Sequence, residues 1–188
     1  MKVLLNETDL HAGVSRLASQ IDDHYQGQPL TVVAVMTGSV VLFADLIRML
    51  SLPLRVGVIQ ASSYRGQAKA GELSVDTQML LDVRNRDVLL VDDIFDTGRT
   101  VAKLMEVIAV QGARSVASAV LLRKCRAHDV ALRPDFTAFE IPDEFVVGYG
   151  LDYRDQYRNL PFLAVLEPHE IDANTDGVPA NGAIYPKP

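Results

Sequence analysis

Hydrophobic positions along the chain switch repeatedly between two periods. Val14, Leu17, Ala18 and Ile21 fall at helical spacing, which predicts an amphipathic helix from about Glu7 to Tyr25. Leu30 to Met36 is a continuous, β-branched apolar run, the pattern of a strand buried on both faces. Phe43, Leu46, Ile47 and Leu50 restore helical spacing, and Leu54 to Gln60 reads as a second strand. Val88 to Val91 is another short buried strand, and Val101, Leu104, Met105 and Ile108 continue as a helix that Gly112 is placed to end. Ser115 to Leu122 follows as the next strand. This alternation predicts an α/β fold, a mainly parallel twisted sheet flanked by helices. Such sheets bind ligands beyond the C-terminal ends of their strands.

Two regions depart from the alternation. Ala61 to Leu73 is small, polar and glycine-bearing. It is longer than most connections in compact domains, as functional lids and spacers are. Ser74 to Leu81 is read as a further strand pairing with this segment. After Arg126, strand candidates at Phe136–Ile141, Phe145–Val147 and Phe162–Leu166 are separated by Pro142-Asp143 and Asn159-Leu160-Pro161. They are expected to build a small hood onto the main sheet. The expected organisation is one domain over residues 1–167, with its core at about 7–126 and hood elements at about 127–167. Residues 168–188, rich in Pro, Gly, Asn and Asp, are expected to be a loosely held tail.

Composition narrows the function classes. With 188 residues, 48% of them hydrophobic, the chain can bury the core of a single domain. No apolar run approaches the ~20 residues that cross a bilayer, and Asn6, Glu7 and Asp9 interrupt the N-terminal apolar residues too early for a signal peptide. A cytoplasmic protein without membrane partners is therefore expected. The single cysteine, Cys125, excludes an internal disulfide and a cysteine-cluster zinc site, and is expected to fill core space at a strand end. A net charge of −6 and a pI of about 5.1 argue against nucleic acid as the main partner, although Arg123-Lys124-Cys125-Arg126 is a local basic candidate. A small-molecule ligand is favoured.

The densest chemistry lies in Val88 to Thr100, VLLVDDIFDTGRT. A buried strand runs into Asp92 and Asp93, then Asp96, then a turn of Thr97, Gly98, Arg99 and Thr100 that opens a helix. A helix N-terminus offers unpaired N–H groups and positive dipole character to a phosphate. Gly98 allows close backbone approach, and Thr97 and Thr100 add hydroxyl donors. Three carboxylates would repel a bare phosphate, so they serve hydroxyls, a metal ion or a proton. A ribose phosphate satisfies both halves, with its phosphate on residues 96–100 and its hydroxyls on Asp92 and Asp93. Helix capping by Asp96 or Thr97 is the plainer alternative, but it needs only one such residue. Neither a G-x-x-x-x-G-K-[ST] phosphate loop nor a G-x-G-x-x-G fingerprint occurs in the sequence.

This segment closely resembles the phosphoribosyl pyrophosphate signature of the type I phosphoribosyltransferases. Three further regions are similar to the hypoxanthine–guanine branch of that family, and the resemblance spans most of residues 7 to 167. Val35-Met36-Thr37-Gly38-Ser39 resembles the pyrophosphate loop, which implies binding by Met36, Thr37 and Gly38 and a cis peptide at Met36–Thr37. Relatives often carry Lys or Arg where this chain has Thr37, so only backbone amides are left for that task. Ser63-Tyr64 matches the Ser-Tyr pair of the family's mobile lid over pyrophosphate. Phe139 to Tyr153, FEIPDEFVVGYGLDY, extending to Arg158, is the stretch most like this branch.

The resemblance implies a purine-salvage enzyme that carries the phosphoribosyl group from phosphoribosyl pyrophosphate to hypoxanthine or guanine, with Mg²⁺ as cofactor. It implies Phe145 stacking on the purine, the Val146 backbone reading the base edge, and Lys124 hydrogen-bonding the six-position oxygen. Asp152 holds Mg²⁺, with Asp92 and Asp93 as further candidates, and Arg158 faces pyrophosphate. Asp96 is the candidate general base. A homodimer or homotetramer is implied as well. Read one at a time, Phe145 could equally be a core aromatic and Lys124 a solvated strand-end lysine. Xanthine as the base, or an RNA-binding regulator of pyrimidine genes on the same fold, are the competing functions. The acidic chain and the Phe145-to-Asp152 stretch argue against the regulator.

Overall fold

A computed structural model describes residues 1–63, 73–76, 81–167 and 170. Strand β1 (Lys2–Leu5) leads into helix α1 (Glu7–Tyr25), strand β2 (Leu30–Met36), helix α2 (Val40–Met49) and strand β3 (Leu54–Ser63). Strand β4 (Leu73–Asp76), strand β5 (Asp87–Phe95), helix α3 (Arg99–Val110) and strand β6 (Ser115–Lys124) follow. The order closes with strands β7 (Phe136–Ile141), β8 (Val146–Val147) and β9 (Leu163–Val165). The main sheet has the order β4-β3-β2-β5-β6-β7, parallel throughout except for β4, which pairs antiparallel with β3.

Both faces of this sheet are covered, which is why its strands read as unbroken apolar runs. Alternate residues point to opposite faces. Val32 of β2, Leu89 and Val91 of β5, and Ala119 and Leu121 of β6 pack with Leu10, Val14, Leu17 and Ile21 of α1 and Leu42 and Leu46 of α2. Their neighbours Val33, Val35, Val88, Leu90 and Val120 pack on the other face with Val101, Leu104 and Ile108 of α3. The helix start at Glu7 has a local cause. Asn6 Oδ1 accepts the Asp9 backbone N–H at 2.9 Å, and the Asp9 carboxylate accepts the Asn6 N–H at 3.2 Å, a reciprocal cap.

The hood differs from its sequence-based outline. Phe136–Ile141, expected among the hood elements of 127–167, instead joins the main sheet as β7, parallel to β6 with Ala119 opposite Phe136 and Lys124 opposite Ile141. A parallel neighbour usually follows a helical crossover, and the connection over 125–135 contains no helix, so the periodicity gave no hint of the pairing. The hood sheet is β1-β9-β8, antiparallel, and its outer strand comes from the extreme N-terminal residues of the chain. Cys125 corrects a second expectation: it is exposed, because β6 ends at Lys124 and the chain turns outward. β5 also runs past Val91 to Phe95, so Asp92 and Asp93 belong to the strand. Tyr64 and the tail 168–188, Glu170 excepted, lie outside the described residues.

The sheet's connections set the position of the site. From β2 the chain moves through α2 to one side, and from β5 it moves through α3 to the other. The loops after these adjacent parallel strands diverge and leave a crevice at their C-terminal ends, where open α/β sheets bind ligands.

At the opposite end of β5, Asp87 Oδ1 accepts hydrogen bonds from Arg114 Nε at 2.9 Å and Ser115 Oγ at 2.6 Å, tying the starts of β5 and β6 together. The Arg114 guanidinium holds the Asp87 carboxyl down at about 2. Its native pKa lies below the unfolded value of ~3.9, so the contribution to stability is present above ~4 and fades as pH falls towards 2. Asp87→Asn is expected to cost about 1–2 kcal/mol at neutral pH. In urea titrations, the gap between variant and parent should close between about pH 4 and pH 2.

Candidate active site

Where β5 emerges from the sheet, carboxylates enter a dry environment. Asp92 is buried and Asp93 half-buried. The Asp93 N–H donates to Asp92 Oδ1 at 3.0 Å, and the Ile94 N–H donates to Asp93 Oδ1 at 2.8 Å. Burial, reinforced by the Asp93 charge, pushes the Asp92 carboxyl well above its ordinary value. Burial also raises Asp93, but hydrogen bonds and the field of Arg158 work against that rise. The pair therefore favours a proton on Asp92 and the charge on Asp93.

Two glycines let the parts approach. A Cβ built on Gly38 would lie 1.7 Å from Asp93 Oδ2, so the loop after β2 fits over the carboxylate only without a side chain. Gly150, at φ +100°, faces the other way: its Cβ would lie 2.2 Å from the Gly38 carbonyl oxygen. The hood thus rests on the loop and the loop rests on β5. The hood is fastened further by the Tyr149 hydroxyl, which donates to Asp45 Oδ2 of α2 at 2.6 Å. The loop contains a cis peptide at Met36–Thr37.

The turn that opens α3 leaves the helix start uncapped. Gly98 holds φ +82° with Phe95 and Val130 packed where its side chain would go. The helix has neither a side-chain cap nor an acidic residue in its first turn, in contrast to α1 with Glu7 and Asp9. Its first N–H groups thus have no carboxylate to satisfy them. Beneath the turn, His128 Nδ1 donates to the Asp96 carbonyl at 2.6 Å and the Asp129 N–H donates to the Thr97 carbonyl at 3.0 Å.

Two adjoining clefts result. The first, about 360 Å³, is lined by Met36, Gly38, Asp92, Asp93, Asp96, Thr97, Gly98 and Thr100, with Val35, Ile94 and Val101 beneath. The second, about 230 Å³, is lined by Lys124, Phe145, Val146, Leu151 and Asp152, and shares Asp93, Ile94 and Asp96 with the first. Phe145 is 44% exposed and meets Tyr153 edge-on at 5.5 Å, so it is a cleft wall and not a core aromatic. Lys124 is nearly buried, with Nζ 3.1 Å from Asp143 and 3.7 Å from Asp96, and is not a solvated lysine.

Arg99, Thr37 and Arg158 stand apart from the lining of the two clefts. Arg99 points outward and pairs with Asp129 at 2.8 Å, leaving only its backbone at the turn. Thr37 is exposed. Arg158 is turned onto the hood: Nη1 donates to the Gly150 carbonyl at 2.8 Å and Nη2 pairs with Asp152 Oδ1 at 2.9 Å. Ser63 ends β3, and Tyr64 lies outside the described residues. Among the described residues, no group of three His, Cys, Asp or Glu side chains is close enough to hold a metal ion by itself. Asp93 and Asp152, which share the second cleft, offer the oxygen donors that a hard cation accepts.

Sequence reasoning missed Asp143 and Arg126 as members of the site. Arg126 Nη1 lies 3.1 Å from Asp96 Oδ1 and 3.4 Å from Asp143 Oδ2. Asp143 stands two residues before Phe145, yet it reads as an ordinary Pro-Asp turn. The basic run 123–126 is neutralised, since Arg123 pairs with Glu140 at 2.9 Å while Lys124 and Arg126 pair with Asp96 and Asp143.

Residues 3–154 match the family model described as "Phosphoribosyl transferase domain". The chain is 36% identical over 168 residues to the hypoxanthine-guanine phosphoribosyltransferase of Staphylococcus aureus, covering 89% of this chain and 94% of that protein. It is 37% identical to the bifunctional protein TilS/HprT of Listeria innocua, but spans only 26% of that protein's length. The solved hypoxanthine-guanine phosphoribosyltransferase of Bacillus anthracis superposes with a TM-score of 0.84 at 34% identity, covering 89% of this chain and 99% of that one.

Two variants test the geometry. Phe145→Ala should change the melting temperature little, whereas truncating a buried phenylalanine costs ~3–5 kcal/mol, and it should weaken ligand binding in the second cleft. Asp92→Asn should raise the melting temperature at pH 7. A carboxyl whose pKa rises on folding loses stability as pH climbs above ~4, and an amide removes that loss while keeping the bond to the Asp93 N–H. A thermal denaturation series from pH 4 to 8 reads the flattened profile.

Proposed function

The chain belongs to the phosphoribosyl transferase family, and on that premise we propose that it salvages purines, moving the phosphoribosyl group from phosphoribosyl pyrophosphate onto hypoxanthine or guanine. The products are IMP or GMP and pyrophosphate. One observation carries the reading: a phosphate-type turn and an aromatic-walled pocket open onto the same carboxylates, Asp93 and Asp96. A reaction that joins a base to a sugar phosphate needs that junction.

In this reading the 5-phosphate takes the amides and hydroxyls of Thr97 to Thr100, and the ribose hydroxyls donate to Asp92 and Asp93. Pyrophosphate lies along the Met36–Gly38 backbone, and the family resemblance gives Ser63, Tyr64 and Arg158 the role of contacting it. The base stacks on Phe145, with its edge at the Val146 backbone. The Lys124 ammonium donates to the six-position oxygen. An ammonium cannot accept from the amino group that adenine carries there, so adenine leaves a buried donor unpaired.

The bond from the anomeric carbon to the pyrophosphate oxygen breaks, the bond from the ring nitrogen to that carbon forms, and the proton of that nitrogen passes to Asp96. Bound Mg²⁺ supplies charge neutralisation on the leaving pyrophosphate. Asp152 would hold it, with Asp92 and Asp93 as further candidates and the substrates and water completing its shell. A homodimer or homotetramer is the proposed assembly, and the exposed Val40 of α2 and Val56 of β3 offer apolar surface for it. The cytoplasm is the proposed compartment. No described helix is long and apolar enough to cross a membrane.

A spectrophotometric assay with phosphoribosyl pyrophosphate should show turnover of hypoxanthine and guanine, little of adenine, and none once Mg²⁺ is chelated. Adenine turnover equal to that of hypoxanthine would overturn the reading, and xanthine turnover measures the breadth of the pocket. Asp96→Asn should lower kcat by ~10²–10⁴-fold and leave KM for both substrates within about threefold. Near-normal kcat would remove Asp96 from the role of base.

A further inference from the structure

Two cations and two carboxylates form a closed group beside the second cleft. Lys124 Nζ lies 3.1 Å from Asp143 Oδ1 but 3.7 Å from Asp96 Oδ2. Arg126 Nη1 leans the other way, 3.1 Å from Asp96 Oδ1 and 3.4 Å from Asp143 Oδ2. The consequence falls on individual oxygens of Asp96. Oδ1 is engaged by Arg126, whereas the Lys124 contact to Oδ2 is beyond hydrogen-bonding distance. Lys124 is nearly buried, so it must keep a carboxylate close by, and Asp143 is the nearer one.

We infer that Asp143 is a positioning residue for the transfer reaction: by holding Lys124, it keeps both cations from closing on Asp96 and leaves Asp96 Oδ2 open to the proton of the incoming base. This rests on the assignment of Asp96 as base and Lys124 as reader of the six-position oxygen. Without Asp143, Lys124 and Arg126 share one carboxylate. Both oxygens of Asp96 are then occupied, and the ammonium is drawn off the base and onto Asp96. Asp143 touches neither substrate in this arrangement and acts through its neighbours.

Three of the four groups are partly exposed, with side-chain exposures of 42% for Asp96, 45% for Asp143 and 39% for Arg126, and Lys124 keeps Asp96 as a partner when Asp143 is neutralised, so the role of Asp143 in folding is small. The test uses that separation. Asp143→Asn should lower kcat at least about tenfold, a fraction of what a general base supplies, with KM for phosphoribosyl pyrophosphate unchanged and the melting temperature moved by no more than ~2–4 °C. Adding Arg126→Gln to Asp143→Asn returns the group to one cation per carboxylate and should recover most of the lost kcat. Wild-type kcat in Asp143→Asn overturns the inference, and so does a loss that Arg126→Gln fails to relieve. A parallel Asp96→Asn assay separates the failures. If that variant turns over normally, the assignment of Asp96 itself is wrong and the inference falls with it. If it is inactive while Asp143→Asn is unaffected, only the inference is lost.

Discussion

Three pieces of backbone meet at the mouth of the sheet because two of them carry no side chain. The Asp93 carboxylate lies where a Cβ on Gly38 would be, and the Gly38 carbonyl lies where a Cβ on Gly150 would be. Strand, loop and hood are therefore stacked at van der Waals distance, and the position of each is set by the next. That stacking brings the hood residues Phe145, Val146 and Asp152 to the same cleft as Asp93 and Asp96. The Tyr149 bond to Asp45 fastens the hood to α2, and the Arg158 bond to the Gly150 carbonyl braces the hood itself.

The stack also creates the electrostatics. The last residues of β5 carry Asp92 and Asp93 inside the sheet, before the strand ends at Phe95 and the chain reaches the turn that opens α3. Burial raises both carboxyls, and hydrogen bonds and the field of Arg158 oppose the rise at Asp93, which makes Asp92 the more readily protonated of the two. Such an arrangement costs stability in the free protein and is relieved by ligand groups that donate hydrogen bonds or bring positive charge. The neighbouring cations are treated differently. Lys124 and Arg126 are balanced by Asp96 and Asp143, so this cluster beside the second cleft carries no net charge, and Asp93 and Asp152 add two further carboxylates to the cleft wall. A neutral purine suits such a pocket better than an anion does. At the first cleft, by contrast, Thr37 supplies no charge and Arg99 is turned away to Asp129.

Local patterning made most of this legible. Glu7–Tyr25 and Leu30–Met36 are elements whose boundaries follow from apolar spacing and from burial on both faces. The Asp92-to-Thr100 run is readable because its chemistry is contiguous: the strand end, the turn and the helix start are neighbours in the chain as well as in space. The resemblance of further regions to the hypoxanthine–guanine branch extended that reading to Lys124, Phe145 and Asp152, which lie far apart in sequence.

What the sequence by itself determined is what one segment can decide alone: which stretches are helix or strand, and where carboxylates run into a glycine-bearing turn that opens a helix. Tertiary structure decided the rest. The pairing of Phe136–Ile141 with β6, the outward turn of Cys125 and of Arg99, and the sharing of Lys124 and Arg126 between Asp96 and Asp143 depend on distances between segments remote in the chain. Periodicity reports burial, not the partner against which a residue is buried. An ion pair reads in sequence as two surface charges until the fold brings them within reach.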